Sequence, residues 1–208
     1  MGILEKVASA LFGRAEPIAD RAALAAFMNA RAAFLAQKCI VEFCRVRAGV
    51  YWQKLFAEAE FQRELDRSRW RAYPATYGMM AEMVDAALRE AAGVRRVRLG
   101  SALETIAAET FRSYPVPDGE APDFWEKALV PVRETLAEAQ GRAARPVREM
   151  PKPLARSVFK VLPIHETIVT NDYDYIFNFL RMNLLRAHDD FLAQARPREI
   201  ANDLLGPA

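Results

Sequence analysis

The side chains able to do chemistry near neutral pH are few and scattered along this sequence. There are two histidines, His165 and His188. Histidine is the commonest catalytic and metal-binding side chain in this pH range, so these two set the first test. His165 is followed by Glu166, and His188 by Asp189 and Asp190. Adjacent residues on a helix point about 100° apart, so His188 and Asp189 are not a ready-made pair. A carboxylate di-iron bundle needs Glu-x-x-His twice, and the sequence has none. A zinc site needs three or four ligands. Two histidines and a carboxylate suffice for a facial iron site only where the fold gathers them. The simpler expectation is that His188 borders the apolar stripe of a helix and His165 sits in a loop. No metal and no cofactor is called for.

Nucleophiles and phosphate loops are also missing. No Gly-x-Ser-x-Gly elbow occurs, and the glycines are scattered, mostly where helices should end. Cys39 and Cys44 lie five apart on one expected helix, so their side chains project about 140° apart and cannot bridge each other. They read as reduced, buried small residues, which fits the cytoplasm. The run Asn171-Asp172-Tyr173-Asp174-Tyr175 lacks the turn glycine and the closing Glu of a calcium loop, so its acids read as first-turn charges of a helix. These absences lean against an enzyme.

Charge is distributed less evenly. Between residues 142 and 160 stand Arg142, Arg145, Arg148, Lys152, Arg156 and Lys160 against the single acid Glu149, in a chain whose net charge is only +2. The cations recur every three or four positions. Such a basic amphipathic segment suits an acidic partner surface, most simply another protein, or else an anionic membrane face. Arg63, Arg67 and Arg71 make a second row near Trp70, but Glu64 and Asp66 interleave with it. No helix-turn-helix or aromatic-rich sheet accompanies either row, so a nucleic-acid partner is not expected. An alternative site is an apolar pocket inside the bundle, lined by Tyr173, Phe177, His188 and Phe191 and able to take a small molecule.

The elements that must position these residues are helical. Ile3, Leu4, Val7, Leu11 and Phe12 give residues 1–16 an amphipathic pattern of near-zero net charge. A long helix, or a helical hairpin interrupted at Gly49, should cover 18–72. Leu24, Phe27, Phe34, Leu35, Val41, Val46, Tyr51, Leu55, Phe56 and Leu65 supply its inward positions. Tyr73-Pro74 reads as a helix boundary, because the residue before proline avoids the helical region. A helix from about 75 should end at Gly93, and the capping box Ser101-x-x-Glu104 should start the next. After the loop Tyr114 to Gly119, Pro122 should open a helix that Gly141 closes. Residues 142–152 read as a basic linker, and Pro153 should start a short helix with Leu154, Val158, Val161 and Leu162 on one face. Thr170 or Asn171 should cap a long C-terminal helix, and Pro197 should start a last short one. The best strand candidate, Ile164 to Thr170, is only seven residues long.

The sum is one all-α domain over residues 1–208, an irregular bundle of about seven to eight helices. It has one long N-terminal helix or helical hairpin and one long C-terminal helix. At 208 residues the chain can bury a full core without disulfides or metals. No run approaches the ~20 apolar residues of a membrane span, and Glu5 and Lys6 interrupt what would have to be a signal peptide. Arginine outnumbers lysine 23 to 6, as in a GC-rich bacterial genome. The function expected by elimination is a non-catalytic adaptor, regulator or assembly protein that binds a partner through residues 142–160. A small-molecule pocket near His188 and a peripheral membrane protein are the alternatives. Oligomeric state is left open.

Overall fold

The middle of one helix carries the architecture. Every residue from Ala72 to Asp85 is buried, including Met79, Met80, Met83 and Val84. A helix that is apolar all round must sit at the centre of a bundle. The computed structural model of the chain describes residues 17–163 and 172–207. The segment 1–16, the strand candidate Ile164 to Thr170, His165 and the cap residues Thr170 and Asn171 lie outside the described residues.

The described helices are α1 (Arg21–Ala48), α2 (Trp52–Ala57), α3 (Ala59–Ala92), α4 (Leu99–Arg112), α5 (Phe124–Gln140), α6 (Ala155–Lys160), α7 (Tyr173–Gln194) and α8 (Pro197–Leu205). No strand occurs among the described residues, and the protein is all-α. An isolated bridge joins Ile18 to Ala195, with Ile18 N donating to Gln194 O at 3.0 Å. Of these helices, six have nine residues or more, and the two others are six-residue turns, so fewer full helices build the bundle than the punctuation suggests.

The stretch 18–72 is a hairpin, not one kinked rod. Asp20 caps α1, its carboxylate accepting from Ala23 N at 2.8 Å. Gly49 ends α1 at φ +54°, ψ −130°, a conformation that a side chain makes costly. A 3₁₀ turn, Gly49–Tyr51, and α2 then lead into α3, which runs back along α1. Tyr51, Phe34 and Val46, expected to face inward, are exposed. Phe34 and Val46 line shallow grooves between α1 and α7, and Tyr51 lies in the turn.

Pro74 does not break α3. Its missing amide leaves the Trp70 carbonyl without its helical partner, but Tyr73, Pro74 and Ala75 are all buried by neighbours. The Thr76 hydroxyl, 2.9 Å from both Tyr73 O and Ala32 O, ties α3 to α1 at this point. Tertiary packing therefore overrides the local preference. The Ser101 box is not formed either. A 3₁₀ run, Gly93–Arg98, feeds straight into α4, so its first amides already have partners. Ser101 is exposed, and Glu104 turns outward to accept from Arg133 Nε at 2.7 Å.

One cluster of buried side chains joins the long helices around α3. On one flank Trp70, Tyr73, Tyr77, Phe111, Tyr114 and Trp125 interlock, Tyr73 meeting Phe111 at 5.4 Å and Trp70 meeting Trp125 at 5.6 Å between ring centres. The Tyr73 hydroxyl donates to Asn29 Oδ1 at 2.7 Å. Among the described residues one stretch, Arg21–Ala57, is long and apolar enough by length and composition alone to cross a membrane, which corrects the expectation of none. In the fold its Leu24, Met28, Leu35, Ile40 and Phe43 are buried in the core.

Cys39 and Cys44 are buried free thiols on α1, and burial pushes each up to about 12. A thiol at that value is roughly one part in ten thousand thiolate at pH 8, and only the thiolate is nucleophilic. Neither cysteine is therefore expected to react with Ellman's reagent in native protein at pH 8, whereas both react in guanidinium. Native reactivity of either thiol contradicts its burial.

Candidate functional site

The basic segment divides in two, and what divides it is a pair of buried acids on α3. Glu82 is 2% exposed and Asp85 not at all. Carboxylates so placed need charged partners. Arg142 reaches Glu82 Oε1 at 2.6 Å and Arg145 reaches the same oxygen at 3.2 Å. Both also meet Glu138, at 3.4 and 2.9 Å. Asp85 takes Arg89 at 2.6 Å and accepts from Gln140 Nε2. Burial pushes the Asp85 carboxyl upward against the pull of Arg89, Gln140 and Arg142. Arg89 also donates to the Ala139 and Arg142 carbonyls at 2.5 and 2.9 Å, fixing the chain where α5 ends.

Residues 142–152 are thus anchored to the bundle and not a bare linker. Met150 and Pro151 are buried, and a 3₁₀ turn, Val147–Glu149, leads towards α6. Leu154 and Val158 pack inward as the pattern predicts. Arg142 and Arg145 serve the fold, so the free part of the basic row is Arg148, Lys152, Arg156 and Lys160, all exposed. Arg148 has Glu149 at 3.8 Å, while Lys152, Arg156 and Lys160 have no carboxylate at ion-pair distance among the described residues.

This row stands beside the start of α7. The Arg156 guanidinium lies 5.4 Å from the Tyr173 ring centre, Phe159 lies 6.1 Å from it, and the Tyr173 hydroxyl donates to Lys152 O at 3.4 Å. Asp172, the residue before α7, pairs with Arg47 near the end of α1, and Tyr175 meets Phe43 at 5.9 Å. The basic row and the turn of the α1–α3 hairpin therefore share one end of the molecule.

The four residues of the alternative pocket are not brought together. Phe177 and His188 are separated by about 16 Å along α7, at 1.5 Å per residue. Tyr173 and Phe177 stack on each other, with Arg156 and Arg181 over their faces. Phe191 is packed on Phe27 at 5.4 Å. His188 is half-buried with Asp189 at 3.8 Å. No three potential ligands gather for a metal among the described residues.

Grooves lie elsewhere. One of about 520 Å³ is lined by Ala33, Ala36, Trp70 and Tyr73, by Arg63, Asp66, Arg67 and Arg69, and by the loop at Pro117–Gly119, which includes Asp118. Gly119, at φ +78°, lets the loop close on Arg67, whose Nη2 would lie 2.9 Å from an added Cβ. A second groove of about 710 Å³ lies between Ala87–Arg95 and Arg196–Asn202.

The buried acids went unread in the sequence, although their signal was present. Glu82 and Asp85 interrupt an otherwise apolar window, Tyr77 to Leu88, on a helix too apolar to have a wet face. Comparison with protein-family models, with curated proteins and with solved structures found no match.

Replacing Arg142 and Arg145 together by alanine strands Glu82 and is expected to cost about 3–5 kcal/mol, read from the urea midpoint. Adding Glu82→Gln should recover part of that loss, because the stranded group is then neutral. An unchanged midpoint in the double variant would show that the two arginines are surface charges after all.

Proposed function

We propose that this protein is a non-catalytic docking protein, an adaptor or assembly factor that binds an acidic partner surface through Arg148, Lys152, Arg156 and Lys160. One observation carries the reading. After Arg142 and Arg145 have met Glu82, these four cations stay exposed, and three of them lack a carboxylate partner among the described residues. An acidic protein surface and an anionic membrane face offer this row the same chemistry. A cytoplasmic setting goes with the proposal, and the buried free thiols of Cys39 and Cys44 support it.

Reversing all four charges to glutamate should weaken binding to an acidic polypeptide, polyglutamate, at least tenfold at low salt. Reversing four exposed arginines away from this end, Arg96, Arg98, Arg112 and Arg198, should change it little. Equal losses in the two variants would reduce the row to its share of net charge and end the proposal.

A second reading has its own observation. The 520 Å³ groove beside Trp70 has the size of a small-molecule site, and Arg63 at its wall has no acid at ion-pair distance among the described residues. It lies apart from Tyr173, Phe177, His188 and Phe191, the residues expected to line a pocket. A planar aromatic carboxylate would set its ring against Trp70 and its charge towards Arg63. Titrating naphthoate should quench tryptophan emission in wild type and not in Arg63→Glu. Identical titrations in both would remove this reading.

A further inference from the structure

The end of the molecule that carries the basic row also carries apolar surface that the core does not use. No residue from Arg45 to Glu64 is buried, so the turn of the hairpin projects beyond the bundle. Val50 is 87% exposed, Tyr51 73%, Val46 57% and Trp52 37%. The projection has packing of its own. Trp52 meets Phe56 at 5.9 Å, Phe56 meets Phe61 at 5.2 Å, and Gln62 Nε2 donates to Phe56 O at 2.5 Å. Those contacts hold the tip in shape while Val50 and Tyr51 point away from them.

Acids and cations both stand at this end, but two of its stretches carry cations alone. From Arg45 to Ala57 the chain carries Arg45, Arg47 and Lys54 and no acid. From Met150 to Pro163 it carries Lys152, Arg156 and Lys160 and again no acid. The Arg47–Asp172 pair and the Arg156–Tyr173 contact bring the two acid-free stretches to the same end. Glu42 and Asp172 at this end are each paired with an arginine, while Glu58, Glu60 and Asp174 lie just outside those stretches.

We infer that this end docks on an anionic bilayer, with Val50, Tyr51 and Trp52 entering the interface and the lysines and arginines resting on the headgroups. The inference rests on the docking reading above and names its partner. Three features favour a bilayer over an acidic protein. The apolar residues sit on a convex tip, whereas an aromatic anchor in a protein interface fills a pocket of matching shape. A fluid interface closes around a tip without needing such a pocket. Tryptophan and tyrosine beside an aliphatic residue are the types that settle at headgroup depth. Cations flank the tip on both sides, as attraction to anionic lipid requires.

The test uses the full chain, vesicles of phosphatidylcholine alone or with 30% phosphatidylglycerol, and polyglutamate. The protein should sediment with the anionic vesicles at low salt, release at high salt, and ignore neutral vesicles. Trp52 emission should move to the blue on binding, an effect assigned by its loss in Trp52→Phe. Val50→Asp with Tyr51→Ala alters two residues that take no part in the tip's own packing, so folding should persist by circular dichroism, and partition should fall at least tenfold. Removing Lys152, Arg156 or Lys160 should cost roughly fivefold each, the equivalent of one surface cation near anionic lipid. Binding to polyglutamate but not to vesicles would leave the docking reading and overturn the bilayer. Binding to neither would remove both. Vesicle binding with Trp52 unshifted and the tip variant unimpaired would overturn the hairpin's part in it.

Discussion

Two carboxylates in the centre of the bundle constrain the rest of the chain. Glu82 and Asp85 stand one turn apart on α3, within the stretch whose every residue is buried. A buried carboxylate without partners is penalised by several kcal/mol. Three arginines meet these two, and each comes with backbone attached. Arg89 is on the same helix, but its guanidinium also binds the carbonyls of Ala139 and Arg142. Arg142 and Arg145 belong to the irregular chain after α5. The ion network is therefore what makes a segment without helical periodicity follow one path. It also settles where Pro151 and α6 begin, and hence where the remaining cations stand.

That constraint changes how a basic row should be read. Counted along the sequence, the six cations from Arg142 to Lys160 look like one surface. Sorted by partner, the first two neutralise Glu82 and Glu138, and the last four stay in water. The two groups have opposite consequences. Losing the first two unbalances the interior, while losing the others changes only the field outside. Surface pairs contribute little to stability, so the four outer cations are not there to hold the fold.

The helical class was legible because it rests on spacing. Leu180, Leu184 and Phe191 recur on one side of α7 and are buried there, and Gly93 ends α3 where a glycine is needed. What failed were local signals opposed by packing. Tyr73-Pro74 announces a boundary, yet α3 passes through it because neighbours bury both residues. Ser101 and Glu104 spell a cap, yet the preceding 3₁₀ run already occupies that position. The four residues expected to line a pocket near His188 are spread along α7, Tyr173 and Phe177 stacking on each other and Phe191 packing on Phe27. The groove beside Trp70 was not legible at all. It joins α1, α3 and the loop at Gly119, and only the tertiary fold gives their separation.

The hairpin tip shows the same reasoning in reverse. Amphipathic spacing placed Tyr51 and Val46 inside because apolar residues at helical intervals usually face a core. They are outside because α1 and α3 outrun the helices that cover them. A hairpin that needed only to close could do so with polar residues and lose nothing from the core. Valine, tyrosine and tryptophan in its turn carry a cost in solubility that the bundle does not require. Exposed apolar side chains scattered singly need no explanation, but these adjoin one another, project together and are bracketed by cations. Among the described residues the core leaves Val50 and Tyr51 unused, and that combination is what the proposed docking of the tip explains.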